Sequence, residues 1–227
     1  MTFSSLGYVV FDVPALSQDD QDTFSDLVLD PYCGGKQRYR RFSQYGLTFE
    51  RGAWRTDLLP HRPFIQSRIY NKRAGGILRD FRPLKINPTK QIAPVAAALD
   101  LDRSERWQIN VHQCRVVTDH TIRGVSVPEG PHRDGHELGT IIVFGRHEIR
   151  GGETQLMPPG GGPPLFRVEL VPCQAIAYDD ARFFHTATDI EPTSDGLGYR
   201  DLWIVALNRW NHRRYGDAFE EQAMASR

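Results

Sequence analysis

"PHRDGHELGTIIVFGRHEIRGGETQL", residues 131–156, sets a polar cluster directly before an apolar run. His132, Asp134, His136 and Glu137 are followed at once by "LGTIIVF" (138–144), which is rich in β-formers and reads as a buried strand. Buried strands do not usually begin with a charged cluster. His132 and Asp134 are separated by one residue, so on an extended backbone their side chains share a face. Gly135 lets the chain turn beside them without a Cβ. His136 and Glu137 would then lie near the entrance to whatever the first pair holds.

The same strand character continues outward. "WQINVHQCRVVT" (107–118), "LFRVELV" (165–171), "QAIAYDD" (174–180) and "DLWIVALNRW" (201–210) are β-rich, and turn-formers such as "PPGGGPP" (158–164) separate them. Short strands at this spacing, without intervening helices, argue for a sandwich or barrel, and a double-sheet jelly roll suits their count. "GGE" (151–153) reads as a turn or bulge with Thr154 on the strand that follows.

The first half differs. "LGYVVFDV" (6–13) reads as a strand, and "SQDDQDTFSDLV" (17–28) as a helix capped at Ser17 with acids in its first turn. From 34 to 90 the chain is rich in Arg, Gly and Pro. "RYRRFSQYGLTFE" (38–50) admits a strand, and "HRPFIQSRIYNKRAGG" (61–76) reads as irregular or as a short helix. "NPTKQIAPVAAALDLD" (87–102) reads as a helix, with Pro94 near its start or kinking it. Residues 1–105 are therefore expected to form a helical or irregular buttress for a jelly-roll core at 106–212, within one domain spanning 1–227.

The totals allow this. The chain has 227 residues, enough for one substantial core and short for two ordinary domains. Lys plus Arg and Asp plus Glu balance at 28 each, which predicts neither nucleic-acid binding nor attachment to an anionic membrane. The one basic cluster, "KQRYRR" (36–41), reads as a solvated arginine face or a carboxylate-binding patch rather than a phosphate site. Cys33, Cys114 and Cys173 show no CxxC spacing, so neither a zinc site nor a disulfide framework is expected. The N-terminus has no basic n-region, and Asp12 and Pro14 interrupt its apolar stretch. It does not read as a signal peptide, and no apolar run reaches the roughly eighteen residues of a membrane span. A cytoplasmic protein is expected; its oligomeric state stays open.

A third metal ligand beside His132 and Asp134 should come from elsewhere in the sheet. His185, which follows the strand-like "QAIAYDD", is the best candidate. Two imidazoles and one carboxylate on one face of a metal are the facial triad of non-haem Fe(II) oxygenases, which leaves positions open for O₂ and a chelating co-substrate. That co-substrate is usually 2-oxoglutarate, whose distal carboxylate needs a cation deep in the barrel. Arg200, at the head of the last strand, offers a guanidinium fork that matches a carboxylate in two places. Thr188 and Thr186 are the candidate hydroxyls beside it.

These residues carry a resemblance. "PFIQSRIYN" (63–71), "HQCRVV", "PEGPHRDGHE", "RGGETQL", "AYDDARFFHTATDIEP" and "YRDLWIVALNRW" are similar to the bacterial 2-oxoglutarate/Fe(II) dioxygenases that include free L-isoleucine hydroxylases. The resemblance implies a mainly β (α+β) chain, with a double-stranded β-helix (jelly-roll, cupin-like) core buttressed by N-terminal helices. It implies Fe(II) held by His132, Asp134 and His185, 2-oxoglutarate gripped by Arg200, and O₂ as the second co-substrate. It does not carry the substrate, because members of one fold redirect the same oxidant.

A small molecule, most simply a free amino acid, is expected as substrate, with hydroxylation as the default outcome and desaturation or ring closure as alternatives. Candidate contacts are Glu137 for an ammonium and Arg115 for a carboxylate, with Gln113 on the same face as Arg115. Gln66 and Asn71 match pocket positions of the family. Ile142 and Trp203 are expected as apolar wall near the metal. The rival classes are a cupin-like isomerase or hydrolase using another metal in the same triad, and a metal-free binding module.

Overall fold

The computed structural model describes residues 3–72 and 75–225. Arg73 and Ala74, inside the stretch read as irregular, lie outside the described residues. Helix α1 (Phe3–Leu6), strand β1 (Tyr8–Asp12) and helix α2 (Gln18–Asp22) lead through a 3-10 turn, Thr23–Asp26, into strands β2 (Val28–Leu29), β3 (Arg38–Glu50) and β4 (Ala53–Leu58). Helix α3 (Thr89–Ala98) precedes β5 (Trp107–Thr118), β6 (Leu138–His147), β7 (Ile149–Gly151), β8 (Thr154–Met157) and β9 (Phe166–Val168). Strands β10 (Gln174–Asp179), β11 (Phe184–Ala187), β12 (Ile190–Pro192) and β13 (Gly198–Arg209) follow, and helix α4 (Asp217–Ala225) comes last.

The strands form a jelly roll of unequal sheets. The large one runs β1-β10-β6-β13-β5-β3-β2 with β4 added on β3, and every pairing in it is antiparallel. Facing it are the three-stranded sheet β11-β8-β9 and the pair β12-β7. Ser17 caps α2 as its type demands, its Oγ accepting the Asp20 N–H at 3.2 Å. Pro94 lies inside α3 rather than at its start. No helix among the described residues is long and apolar enough to cross a membrane.

The expected division at residue 105 does not match the sheet. The segment read as a buttress supplies β1 to β4, and β3 pairs with β5 from Arg38 to Leu47 as an interior strand. Its arginines disguised it: Arg38, Arg40 and Arg41 are all buried, so "KQRYRR" is not a solvated face. Arg38 and Arg40 both face the chain's own Asp30, at 2.9 and 3.5 Å.

The two faces of the large sheet have different partners. Odd residues of β5 and β13, including Ile109, Val111, Trp203 and Val205, pack with Ile92 and Val95 of α3 in an outer core. The N-terminal helices thus buttress the sheet as expected. Even residues of the same strands, including Cys114, Val116 and Leu202, pack inward with Leu156 of β8. Trp203 is fully buried outside, edge-on to Phe144 with ring centroids 4.9 Å apart. Trp203→Ala is expected to cost about 3–5 kcal/mol, as large aromatic truncations do, read from the urea unfolding midpoint. Ile142 lies in that outer core too, so neither residue walls the pocket; Ile141, Leu202 and Ile204 do.

Candidate metal centre and its pocket

His132, Asp134 and His185 converge. One ligand atom from each lies within 4.8 Å of the other two, the one such His/Cys/Asp/Glu group among the described residues. His132 Nε2 is 3.3 Å from Asp134 Oδ1, and His185 Nε2 is 3.5 Å from Asp134 Oδ2. His185 comes from β11 of the small sheet, and an isolated backbone bridge ties it to His132. His132 N–H donates to the His185 carbonyl at 3.1 Å, and His185 N–H donates back at 2.9 Å. Gly135 does take the turn beside them, at φ +79°, where a Cβ would overlap the Tyr70 ring.

The donor set fits a divalent first-row metal. Ligand bonds of about 2.1 Å put neighbouring donors about 3 Å apart, close to the spacings found here. His132 Nδ1 lies 2.8 Å from the Gly130 carbonyl, which only accepts, so Nδ1 carries a hydrogen and Nε2 is the nitrogen that would face a metal. Burial opposes charge on His132, but the hydrogen bond and charge of Asp134 prevail and raise its pKa to about 9. Burial holds His185 neutral, lowering it to about 4 despite Asp134. Burial also opposes charge on Asp134, yet the two histidines hold its carboxyl well below the usual range.

Two further residues fix the aspartate. Gln66 Nε2 donates to Asp134 Oδ1 at 2.6 Å, and its Oε1 accepts from Asn71 Nδ2 at 3.2 Å and Arg79 Nη2 at 2.7 Å. Gln66 and Asn71 therefore line the pocket as expected, with Gln66 tied to a metal-site carboxylate. Asp180 was not singled out by the sequence. Its carboxylate accepts the N–H groups of Asp134, Gly135 and His136 at 3.1, 2.8 and 3.1 Å, and stands 3.7 Å from His185 Nδ1. Burial and the charge of Asp134 push it up to about 7. Its signal was present in "AYDDARFFH", five residues ahead of the histidine, but an acid after a strand usually marks a turn. Asp180→Ala would leave three N–H groups of the turn without their acceptor, at about 1–3 kcal/mol for each that stays buried. It is expected to lower the melting temperature and to weaken Fe(II) binding about 10- to 100-fold, measured by metal titration.

The triad opens into a pocket with a volume of about 100 Å³. Arg200 forms part of its wall and is 2 % exposed. Its Nε has no hydrogen-bond partner, and it makes no ion pair with an acid among the described residues. Burial, then Arg146, lower its pKa to about 10, which still leaves it charged at neutral pH. Gly152 makes room for it, since a Cβ there would stand 3.2 Å from Arg200 Cδ. "GGE" does form the turn between β7 and β8, and Thr154 opens β8 with its Oγ1 3.5 Å from Arg200 Nη2.

Four expected contacts do not reach the pocket. Thr188 lies outside, its Oγ1 accepting the Glu153 N–H at 2.9 Å, so Thr154 is the hydroxyl beside Arg200, while Thr186 lines the cavity. Arg115 grips Asp201 in two places, at 2.6 and 2.7 Å, and lies 4.1 Å over the Tyr199 ring. Gln113 donates to Thr23 Oγ1 at 2.7 Å on the same outer face. Both are odd residues of β5, whereas the inward face carries His112, Cys114 and Val116. Glu137 binds Arg209 Nη1 and His212 Nδ1 at 2.6 and 2.9 Å, turned away from the triad. His136, expected at the entrance, is buried in the pocket wall. Asn208 donates to its Nδ1 at 2.8 Å, and burial lowers its pKa to about 4.

A jelly roll with two histidines and a carboxylate at a buried pocket defines the class of non-haem metal oxygenases. The chain belongs to the 2OG-Fe dioxygenase family, whose model matches residues 21–206. The family uses Fe(II), 2-oxoglutarate and O₂, and the chain is accordingly an oxidoreductase. A bsmA homolog from Methylobium petroleophilum PM1 is similar in structure, with TM-score 0.73 and 25 % identity over 91 % of this chain and 90 % of that one. IDO from Bacillus thuringiensis superposes with TM-score 0.70 at 18 % identity, over 91 % and 96 % of the two chains. The Fe(II)/α-ketoglutarate-dependent dioxygenase TqaL gives TM-score 0.62 at 14 % identity, over 91 % and 84 %. No curated protein sequence matches the chain significantly.

Proposed function

We propose that this dioxygenase hydroxylates an unactivated C–H of a free amino acid, with His132, Asp134 and His185 as iron ligands and Arg200 as the grip on the distal carboxylate of 2-oxoglutarate. One observation carries the reading: a fully buried arginine without an acid partner among the described residues shares a pocket with the triad. A buried guanidinium in that condition is costly unless a ligand carboxylate completes it. The bound iron and co-substrate supply an oxidant strong enough to take a hydrogen from an aliphatic carbon. The protein's part is to orient and to exclude water. Gln66 and Asp180 hold the metal-binding turn, and Ile141, Leu202 and Ile204 present an apolar wall to the substrate.

The test incubates the Fe(II)-loaded protein with 2-oxoglutarate and each of the common amino acids, with and without O₂, and measures succinate and product mass. Succinate that depends on O₂ and on one class of amino acid, with a product heavier by one oxygen atom, is the expected result. Turnover without O₂ would overturn the oxygenase mechanism in favour of an isomerase or hydrolase. Succinate formation that no free amino acid stimulates would overturn the substrate alone.

A further inference from the structure

The same pocket carries charges that the metal and 2-oxoglutarate leave unused. Arg38, Arg40 and Arg79 line it together with Glu129, and Asp30 lies behind them. Asp30 is shared between Arg38 and Arg40. Arg79 has no acid partner among the described residues. It is 3 % exposed, lies 4.6 Å over the Phe64 ring, donates Nη2 to Gln66, and leaves its Nε without a hydrogen bond. Arg40 Nε also lacks one, its 3.5 Å approach to Asp30 being an ion pair only. Three buried guanidiniums thus face two carboxylates, and the surplus positive charge sits beside two unfilled donors. Desolvated cations of this kind call for an anion.

Glu129 is the complementary feature. Its side chain is 13 % exposed and lines the pocket, and its nearest cation, Arg38 Nη2, stands at 4.0 Å, beyond hydrogen-bond reach. Ile141, Leu202 and Ile204 line the same pocket and present an aliphatic surface beside these charges. Register also keeps the site apart from Arg200, because Val116 stands between Arg200 and Arg38 across three adjacent strands. Two hydrogen bonds through Gln66 connect Arg79 to Asp134, so an anion on Arg79 is anchored at the rim of the metal site.

We infer that the substrate is held by both ends of its zwitterion: the α-carboxylate on Arg79, with Arg40 beside it, and the α-ammonium on Glu129, with an aliphatic side chain directed at the metal. This rests on the proposed function and replaces the Arg115 and Glu137 pair that the sequence suggested. Arg79 and Glu129 are specificity-determining residues in this account, because a ligand lacking either charge leaves its partner buried and unmatched.

The experiment is a calorimetric titration under anaerobic conditions, in which the Fe(II) and 2-oxoglutarate complex cannot turn over. The probes are L-isoleucine and L-leucine, their N-acetyl derivatives, which keep only the carboxylate, and their amides, which keep only the ammonium. Arg79→Gln is expected to weaken the free and N-acetyl forms about 30-fold or more and to leave the amides nearly unchanged. Glu129→Gln is expected to weaken the free forms and the amides while sparing the N-acetyl forms. Affinity for 2-oxoglutarate should be unchanged in both. If Arg79→Gln does not fold, Arg79→Lys keeps the charge, loses the planar fork, and reads the same contrast at smaller size. Equal weakening of all probes, or a loss directed at 2-oxoglutarate instead, would overturn the assignment. So would a wild-type protein that binds 2-oxoglutarate but neither amino acid, an outcome that leaves the oxygenase reading standing. A protein that does not bind 2-oxoglutarate would defeat that reading first. The titration repeated without 2-oxoglutarate then decides the clamp on the same cross-pattern.

Discussion

His185→Ala is expected to abolish succinate formation and to leave the fold intact. The residue sits on β11, paired through its backbone with Leu156 and bridged to His132, and neither contact needs the imidazole. On the proposed function, what the substitution removes is one of three donors for the metal. Changes one shell farther out already cost about 10- to 100-fold in metal affinity or activity, so loss of a ligand is expected to exceed the upper end of that range. His132→Ala and Asp134→Ala are expected to behave alike, Asp134→Ala with an additional penalty because Gln66 Nε2 then loses its acceptor. Fe(II) titration separates this account from a folding defect: the variants should melt cooperatively yet bind iron weakly. A variant that keeps its iron and turns over near the wild-type rate would remove that residue from the ligand set.

Arg200→Ala is expected to raise the KM for 2-oxoglutarate by about 30-fold or more, because truncating one partner of a buried charged pair costs about 2–5 kcal/mol. The geometry makes the lower bound the cautious one. Arg200 is 2 % exposed, so water cannot take the place of the guanidinium beside the carboxylate. Thr154, whose hydroxyl lies 3.5 Å from Arg200 Nη2, is neutral. Fe(II) affinity should change little. Arg200→Lys should recover part of the loss, keeping the charge while losing the two-point match. An unchanged KM would move the co-substrate's grip to another buried cation of the pocket, with Arg79 first in line.

The parts of the site legible in the sequence were those written in local chemistry. An HxD before an apolar β-run, a histidine after the next strong strand and an arginine heading the last one can be found without knowing how the sheets pack. The structure does bring His132, Asp134 and His185 together, and it lays Arg200 along the same pocket. Strand positions were legible for the same reason: "WQINVHQCRVVT" is β5 to the residue. Less was legible in "KQRYRR". Arg38, Arg40 and Phe42 recur at every second position, the period of one strand face, but a charged alternation reads as solvent-facing until something is known to cover it.

What the sequence could not decide was parity and long-range pairing. Strands β5, β6 and β13 are buried on both faces, so their apolar pattern carries no mark of which face looks inward. A one-residue error of phase turns Arg115, Gln113, Ile142 and Trp203 toward the pocket, whereas Val116, Ile141 and Leu202 are the residues that line it. Glu137 and Thr188 were misplaced differently, by partners far along the chain: Arg209 and His212 for the acid, and the Glu153 N–H for the hydroxyl. The same long-range packing assembled Arg79, Glu129 and Asp30 around the pocket from separate loops with no shared motif. By itself, then, the sequence determined the long apolar strands of the second half and the donor types of the candidate metal centre, because both follow from residue types a few positions apart. The wall that meets the substrate was decided only when the sheets closed, because side-chain direction and charge pairing there depend on which surfaces become covered.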